Sequence, residues 1–330
     1  MNPQPFAFGI YPGGIVGTPT GLSESKPDDA AKITGALEQL QGSQPTFLVR
    51  AYLHFTRRNA PGSAETPHPT NAVQYATGGR RLNLVLCFRD PEGDIAAWTE
   101  FVREKIRAHG ERLASVSVTL EPNLALPNVA MDGNFPAIMP ALVQGVAAAR
   151  NEIASSELPV KLGFCATPSF GPKATFWPGL ALAGGTDFAE ALDYVGLDFY
   201  ADVFYPVAAD GEPGDLRGSV LHQLQQLRNV DLKAAGISSS TPIHVCENGW
   251  PTSSARSPER QAEVLEAVVR TIYGAREECN VTRYQWFALR DSDSSKDEIF
   301  SQFGLLLDDY TPKPAFERYR RLIAELGEGV

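Results

Sequence analysis

Short runs of apolar residues alternate with helix-like segments along this chain, and this alternation limits the folds that it can adopt. Eight such runs are apolar almost throughout, and glycine, proline, asparagine or aspartate residues close most of them. They cover residues 6–11, 46–52, 82–88, 115–121, 160–166, 194–200, 242–247 and 282–289. Because these runs are continuously apolar rather than alternating, they are typical of parallel strands covered on both faces.

The segments between the runs carry helical patterns. The sequence predicts helices over 28–41, 94–109, 135–157, a shorter one near 188, and then 216–235, 257–278 and 314–326. Eight strands alternating with helices predict an α/β fold of the (β/α)8 type, the TIM barrel. A doubly wound open sheet is the alternative, but the first turn, Gly9-Ile10-Tyr11-Pro12-Gly13-Gly14, lacks the Gly-x-Gly-x-x-Gly pattern. No linker or change of composition divides the chain, so we expect one barrel domain over 1–330.

Composition excludes some classes of partner. A net charge of -10 and a pI of about 5.1 argue against binding to nucleic acid or to anionic membrane surfaces. No apolar stretch reaches the roughly 20 residues of a membrane span, and the first residues lack the regions of a signal peptide. The four cysteines form no metal-binding or redox pattern and predict free thiols. We therefore expect a cytoplasmic protein, or a secreted one only if a signal was removed; the oligomeric state is not predicted.

Two carboxylates occupy the ends of apolar runs, where a barrel places its active site. Glu121 ends Val118-Thr119-Leu120-Glu121, and Glu247 ends Val245-Cys246-Glu247 before an Asn-Gly turn. A pair of carboxylates across a cleft is the apparatus of glycoside hydrolysis, retaining at a gap of about 5 Å and inverting above about 6.5 Å. As a structural alternative, Glu247 would pair with Arg50 or Arg290. The other polar residues at strand ends include Tyr11, Tyr52, His54, Arg89, Asp90, Asn123, Asp198, Tyr200, Asn248, Trp250, Trp286 and Asp291.

Glu121-Pro122-Asn123 and Glu247-Asn248-Gly249-Trp250-Pro251-Thr252 resemble segments of the retaining glycoside hydrolases of clan A. The resemblance implies a (β/α)8 barrel in which Glu247 is the nucleophile and Glu121 the acid/base, with no cofactor or metal. It also implies that the substrate is an oligosaccharide, polysaccharide or glycoside. The substrate-binding residues expected from the resemblance and from the strand ends are Arg50 near the nucleophile, Asn123, Tyr200 or Tyr205 as a hydrogen-bond donor to the nucleophile, Trp250, and Trp286 as a sugar platform.

One residue departs from the clan pattern. The clan usually has asparagine directly before the acid/base, where it binds the sugar 2-hydroxyl, and this chain has Leu120. Three hypotheses follow: a retaining β-glycosidase, with Asn123 as a substitute donor; a carbohydrate-binding barrel with impaired catalysis; and a metal-dependent barrel hydrolase. The third is disfavoured because the five histidines include no His-x-His pair.

Overall fold

A computed structural model describes residues 5–18, 21–56, 71–125, 131–168, 175–204 and 215–327. Eight parallel strands close into a barrel, because the first strand pairs with both the second and the last. The prediction of a (β/α)8 barrel is confirmed. The barrel strands are β1 (Ala7–Ile10), β2 (Phe47–Phe55), β3 (Arg80–Phe88), β4 (Leu113–Leu120), β5 (Lys161–Ala166), β6 (Tyr194–Asp198), β7 (Ile243–Asn248) and β8 (Val281–Trp286).

Helices surround the barrel, and apart from shifts of one to three residues at their ends they differ from the prediction in three places. The segment predicted as one helix over 216–235 contains a π-helical turn, the segment over 257–278 divides near residue 275, and the helix near 188 is longer than predicted. The α-helices are α1 (Ala30–Gln41), α2 (Ile95–His109), α3 (Ile138–Ser155), α4 (Phe176–Ala191), α5 (Leu216–Gln226), α6 (Leu232–Ala234), α7 (Pro258–Gly274), α8 (Arg276–Cys279) and α9 (Pro314–Leu326). Shorter elements are the π turn Leu227–Asp231, the 3-10 turns Ala72–Tyr75 and Gly110–Arg112, and a hairpin of Gly17–Thr18 with Gly21–Leu22.

Local sequence sets several of these helix ends. Asp29 caps α1 by accepting hydrogen bonds from the backbone N–H groups of Ala31 and Lys32, both at 3.1 Å. Ser257 caps α7 in the same way, and Pro258 takes the first helical position, where no N–H is required. These caps fix where each helix begins and so where the preceding strand-end loop stops.

The main apolar core lies between the strands and the helices. All nine residues of β2 are buried, including the charged Arg50, so this strand carries polar groups into the barrel interior. Within the described ranges, no helix is both long enough and apolar enough to cross a membrane. The four cysteines are buried free thiols. That the chain forms one domain stays a prediction.

Candidate active site

Glu247 lies near the end of β7 and is 6% exposed. Its Oε1 accepts hydrogen bonds from Arg50 Nε at 3.1 Å, Arg50 Nη2 at 2.9 Å and the Tyr52 hydroxyl at 2.5 Å. Its Oε2 accepts from the Tyr200 hydroxyl at 2.7 Å. Charge-assisted bonds of this kind are the stronger hydrogen bonds in proteins, and together they hold the carboxylate as an oriented anion.

Arg50 comes from the middle of β2 and is fully buried. Besides Glu247, its guanidinium donates to Asn83 Oδ1 at 2.7 Å and to Asp198 Oδ2 at 3.2 Å. Of the two arginines proposed as partners of Glu247, the structure therefore places Arg50 there, while Arg290 pairs with Asp28. With no exposed surface, Arg50 acts on a substrate only through Glu247.

Glu121 directly follows β4 and stands across from Glu247. Carboxylate oxygens of Glu121, Asp198 and Glu247 lie within 4.8 Å of one another. The backbone here is strained, because Glu121 has φ 47° and the β-branched Thr119 has φ 67°, in the left-handed region that such residues rarely adopt. Strain of this kind clusters at functional sites, where the surrounding structure must hold it in place.

The two glutamates have different electrostatic environments. Burial, and then the negative charge of Glu247, raises the pKa of Glu121 well above its usual range, while Arg50 acts in the opposite direction. Glu121 has no ion pair with Arg50, whereas Glu247 does. The arrangement therefore places a carboxyl that favours its proton beside a carboxylate that is held by a cation.

Asp132 holds the end of the strand that carries Glu121. Its Oδ2 accepts from the backbone N–H of Leu120 at 2.8 Å and of Phe88 at 2.7 Å, and its own N–H donates to the Leu120 carbonyl at 2.9 Å. Burial raises the pKa of Asp132 to about 7, although Arg89 and the two backbone donors favour its charged form. This buried carboxyl joins the ends of β3 and β4.

The residues that follow Glu247 in its motif hold the chain in place. Asn248 donates to the carbonyl of Phe199 at 2.9 Å and accepts from Tyr284, so it joins β7 to neighbouring segments. At Gly249 a Cβ atom would lie 2.1 Å from the carbonyl oxygen of Phe287, so only glycine fits there. Trp250, predicted to contact substrate, is 3% exposed and donates to Asp202 at 3.1 Å.

The predicted sugar platform Trp286 is 1% exposed and packs in the main core on β8. Its neighbour Phe287 faces the barrel mouth instead, where its ring stacks on Tyr11 at 4.9 Å and meets Tyr200 edge-on at 6.3 Å. Phe287 is therefore better placed than Trp286 to contact a ligand beside Glu247. Tyr205, the alternative donor to Glu247, lies outside the described residues.

Asn123 and Leu120 lie within two residues of Glu121 in the sequence; Asn123 forms hydrogen bonds, whereas Leu120 is apolar. The Asn123 amide donates to the carbonyl of Thr167 at 2.8 Å and accepts from its N–H at 3.0 Å. These two bonds join the loop after β4 to the segment that follows β5. Leu120 is 7% exposed and belongs to an apolar cluster at the mouth with Tyr52 and Tyr200.

Four residues of this site received no role from the sequence: Tyr52, Asp198, Asp132 and Phe287. The sequence spacing of two of them, Tyr52 and Asp198, indicates that they belong to the site. Tyr52 follows Arg50 by two positions and Asp198 precedes Tyr200 by two, and residues so spaced in a strand share a face. Neither Asp132 nor Phe287 stands out in the sequence, because their roles depend on the paths of the chain after β4 and β8.

Comparison with protein-family models and with curated proteins gives no match. Solved structures do match. A family 39 glycoside hydrolase from Bacteroides cellulosilyticus WH2 has a TM-score of 0.65 at 19% identity, covering 98% of this chain and 64% of that one. The family 1 β-glucosidase from Thermotoga maritima has a TM-score of 0.64 at 14% identity, covering 98% and 99%.

A β-glucosidase designated 1317 has a TM-score of 0.61 at 16% identity over 89% of this chain and 87% of that chain. The chain spans only 49% of a β-glucuronidase from Ruminococcus gnavus that shares the fold. At these identities the likeness shows the fold alone. The predicted resemblance to (β/α)8 glycoside hydrolases is confirmed at that level.

Proposed function

We propose that this protein hydrolyses β-glycosidic bonds with retention of anomeric configuration. Glu121 protonates the leaving oxygen while Glu247 attacks the anomeric carbon, and Glu121 then takes a proton from the water that releases the sugar. The observation that carries the proposal is the approach of the Glu121 and Glu247 carboxylate oxygens to within 4.8 Å. Retaining enzymes hold the two groups about 5–5.5 Å apart, whereas inverting ones leave room for a water.

The charges around the pair support the same division of roles. Glu247 is ion-paired with Arg50 at 2.9 Å and is therefore suited to attack as an anion. The pKa of Glu121 is raised by burial and by Glu247, so it is suited to deliver a proton. As in other hydrolases of this mechanism, no cofactor is required.

Trapping the covalent intermediate tests the proposal directly. Incubation with 2-deoxy-2-fluoro glycosides should add one glycosyl group to the protein, and peptide mass spectrometry should place it on Glu247. Glu247→Gln should abolish both labelling and turnover of aryl β-glycosides, whereas Glu298→Gln, on an exposed loop residue, should retain both. Labelling at another carboxylate would overturn the assignment.

The role of Glu121 has its own signature. Glu121→Gln should slow hydrolysis of glycosides with poor leaving groups by roughly 10²- to 10⁴-fold, the usual contribution of general acid catalysis. Dinitrophenyl glycosides should be affected much less in the glycosylation step, because their leaving group needs no proton. An equal loss across leaving groups would argue against Glu121 as the acid.

Leu120 favours a second candidate, a barrel that binds sugars without cleaving them. Its apolar side chain cannot donate a hydrogen bond to a sugar hydroxyl, and the nearby Asn123 amide donates one hydrogen bond to the carbonyl of Thr167. This candidate expects saturable binding of noeuromycin or castanospermine, the ligands solved with the Thermotoga maritima β-glucosidase, without any hydrolysis. A trapped glycosyl group on Glu247 would exclude it.

A further inference from the structure

Two thiols and a carboxylate meet inside the barrel, beneath the catalytic carboxylates. Cys165 Sγ from β5, Cys246 Sγ from β7 and a carboxylate oxygen of Asp198 from β6 all lie within 4.8 Å of one another. Each of the three side chains is at most 1% exposed. This thiol–carboxylate cluster has no part in the proposed hydrolysis beyond the contact of Asp198 and Cys165 with Arg50.

A glycine makes the space between the thiols. Gly196 lies on β6, between the strands that carry the two cysteines. A Cβ atom at this position would lie 2.5 Å from Cys165 Sγ and 3.0 Å from Cys246 Sγ, too close for any side chain. The two sulfur atoms can therefore face each other across β6 only because residue 196 is glycine.

The backbone keeps these thiols from joining as a disulfide. Neighbouring strands lie about 4.8 Å apart, so strands separated by a third place the Cα atoms of Cys165 and Cys246 roughly 9 Å apart. A disulfide requires less than about 7 Å. Both cysteines are free thiols whose side chains are hydrogen-bonded to each other, so the two sulfur atoms lie close together without a covalent bond.

Asp198 offers an oxygen that lacks a partner. Its Oδ2 accepts from Arg50 at 3.2 Å, but its Oδ1 is buried with no hydrogen bond. A buried carboxylate oxygen without a donor is costly, and such exceptions call for a specific explanation. A cation bound beside the two sulfurs supplies one.

We propose that Cys165, Cys246 and Asp198 form a binding site for a thiophilic divalent cation such as Zn²⁺ or Cd²⁺. Thiolates prefer such soft d¹⁰ ions, and zinc–sulfur bonds of about 2.3 Å place tetrahedral ligand atoms about 3.8 Å apart. A zinc–oxygen bond of about 2.0 Å places the carboxylate oxygen about 3.5 Å from each sulfur, so the ligand atoms need to approach one another by at most about 1.3 Å. Thiolates are the binding form of cysteine, so binding of the ion releases the protons that the two thiols carry.

Asp198 belongs both to this cluster and to the group of carboxylates in the proposed active site. An oxygen of Asp198 also lies within 4.8 Å of oxygens of Glu121 and Glu247, so the cluster adjoins the two glutamates. Coordination draws Asp198 and Cys165 away from Arg50, the cation that orients Glu247. Metal occupancy is therefore expected to inhibit turnover, and this consequence alone rests on the proposed function.

Cadmium titration of the full chain tests the site without any need for activity. We expect one Cd²⁺ per chain, a thiolate-to-cadmium charge-transfer band in the ultraviolet, and release of protons on binding. Cys165→Ser and Cys246→Ser should each lose the two-thiolate band, while Cys279→Ser, a buried cysteine outside the barrel interior, should keep it. Loss of the band in Cys279→Ser, or its persistence in both other variants, would overturn the proposal.

A measurement on the unsubstituted protein guards against variants that do not fold. Cadmium X-ray absorption should report two sulfur ligands and at least one oxygen, and a spectrum with oxygen ligands only would reject the site. In the same samples, the Cd²⁺ concentration that inhibits aryl glycoside hydrolysis by half should equal the midpoint of the spectroscopic titration. Metal binding without any glycosidase activity would count against the proposed function and leave the metal site standing.

Discussion

Asp132 offers a quantitative test of how the end of β4 is held. Burial raises the pKa of this carboxyl to about 7, far above the value of about 3.9 expected in the unfolded chain. Between these two values the native state binds the proton and the unfolded state does not. By linkage, the free energy of unfolding therefore falls as the pH rises through this window, and the contribution is lost once the pH exceeds about 7.

The size of the effect follows from the two values. Integrating the linkage relation from pH 5 to pH 8 gives a loss of roughly 2–3 kcal/mol in the free energy of unfolding from Asp132 alone. Other groups titrate in the same range, so the absolute curve cannot isolate this residue. Asp132→Asn removes the titration but keeps one oxygen that can accept from the N–H groups of Leu120 and Phe88, both now bonded to Oδ2.

The assay is urea unfolding of the natural chain and Asp132→Asn at several values between pH 5 and pH 8. The difference in free energy of unfolding between them should change by roughly 2–3 kcal/mol over that range, in favour of the variant as the pH rises. Asp132→Ala provides the contrast, because it leaves both backbone donors without an acceptor and should destabilise at every pH. Parallel curves for the natural chain and Asp132→Asn would refute the reasoning.

Three further changes test the site. Tyr200→Phe removes the donor to Oε2 of Glu247, a bond to a charged group worth about 1.5–3 kcal/mol. If Glu247 is the nucleophile, kcat/KM for aryl glycosides should fall roughly 10- to 150-fold, and a fall below 3-fold would contradict this. Asn123→Ala removes two bonds to the loop after β5 and should lower the free energy of unfolding by about 1–3 kcal/mol in urea titrations. Trp286→Phe should reduce stability with little change in KM, whereas Phe287→Ala should raise KM; the opposite pattern would restore Trp286 as the platform.

The barrel and its two carboxylates were accessible from the sequence because their signals are local. Continuous apolar runs identify parallel strands, and Glu121 and Glu247 stand at the ends of two of them. The sequence does not distinguish Arg50 from Arg290 as the partner of Glu247. The choice between the two arginines depends on a contact between Arg50 and Glu247, which are 197 positions apart in the sequence and come together only when the barrel closes.

The predicted sugar platform shows how a difference of one residue, Phe287 instead of Trp286, changes a functional assignment. The eighth strand was predicted to reach residue 289, but it ends at Trp286. Side chains alternate between the two faces of a strand, so neighbouring positions point in opposite directions. Trp286 therefore packs against the helices while Phe287 faces the mouth, and hydropathy alone does not distinguish the two aromatic residues.

The division of roles between the two glutamates follows from charge as well as from motif. One guanidinium, that of Arg50, contacts both Glu247 and Asp198, and Glu121 forms no ion pair within the described part of the chain. Three ionised carboxylates with oxygens within 4.8 Å would then share a single cation, at a high cost in a buried site. The group without an ion pair keeps its proton at the lowest cost, and that group is Glu121. In the proposed mechanism, moving the cation of Arg50 from Glu247 to Glu121 should therefore exchange the roles of acid and nucleophile between the two glutamates.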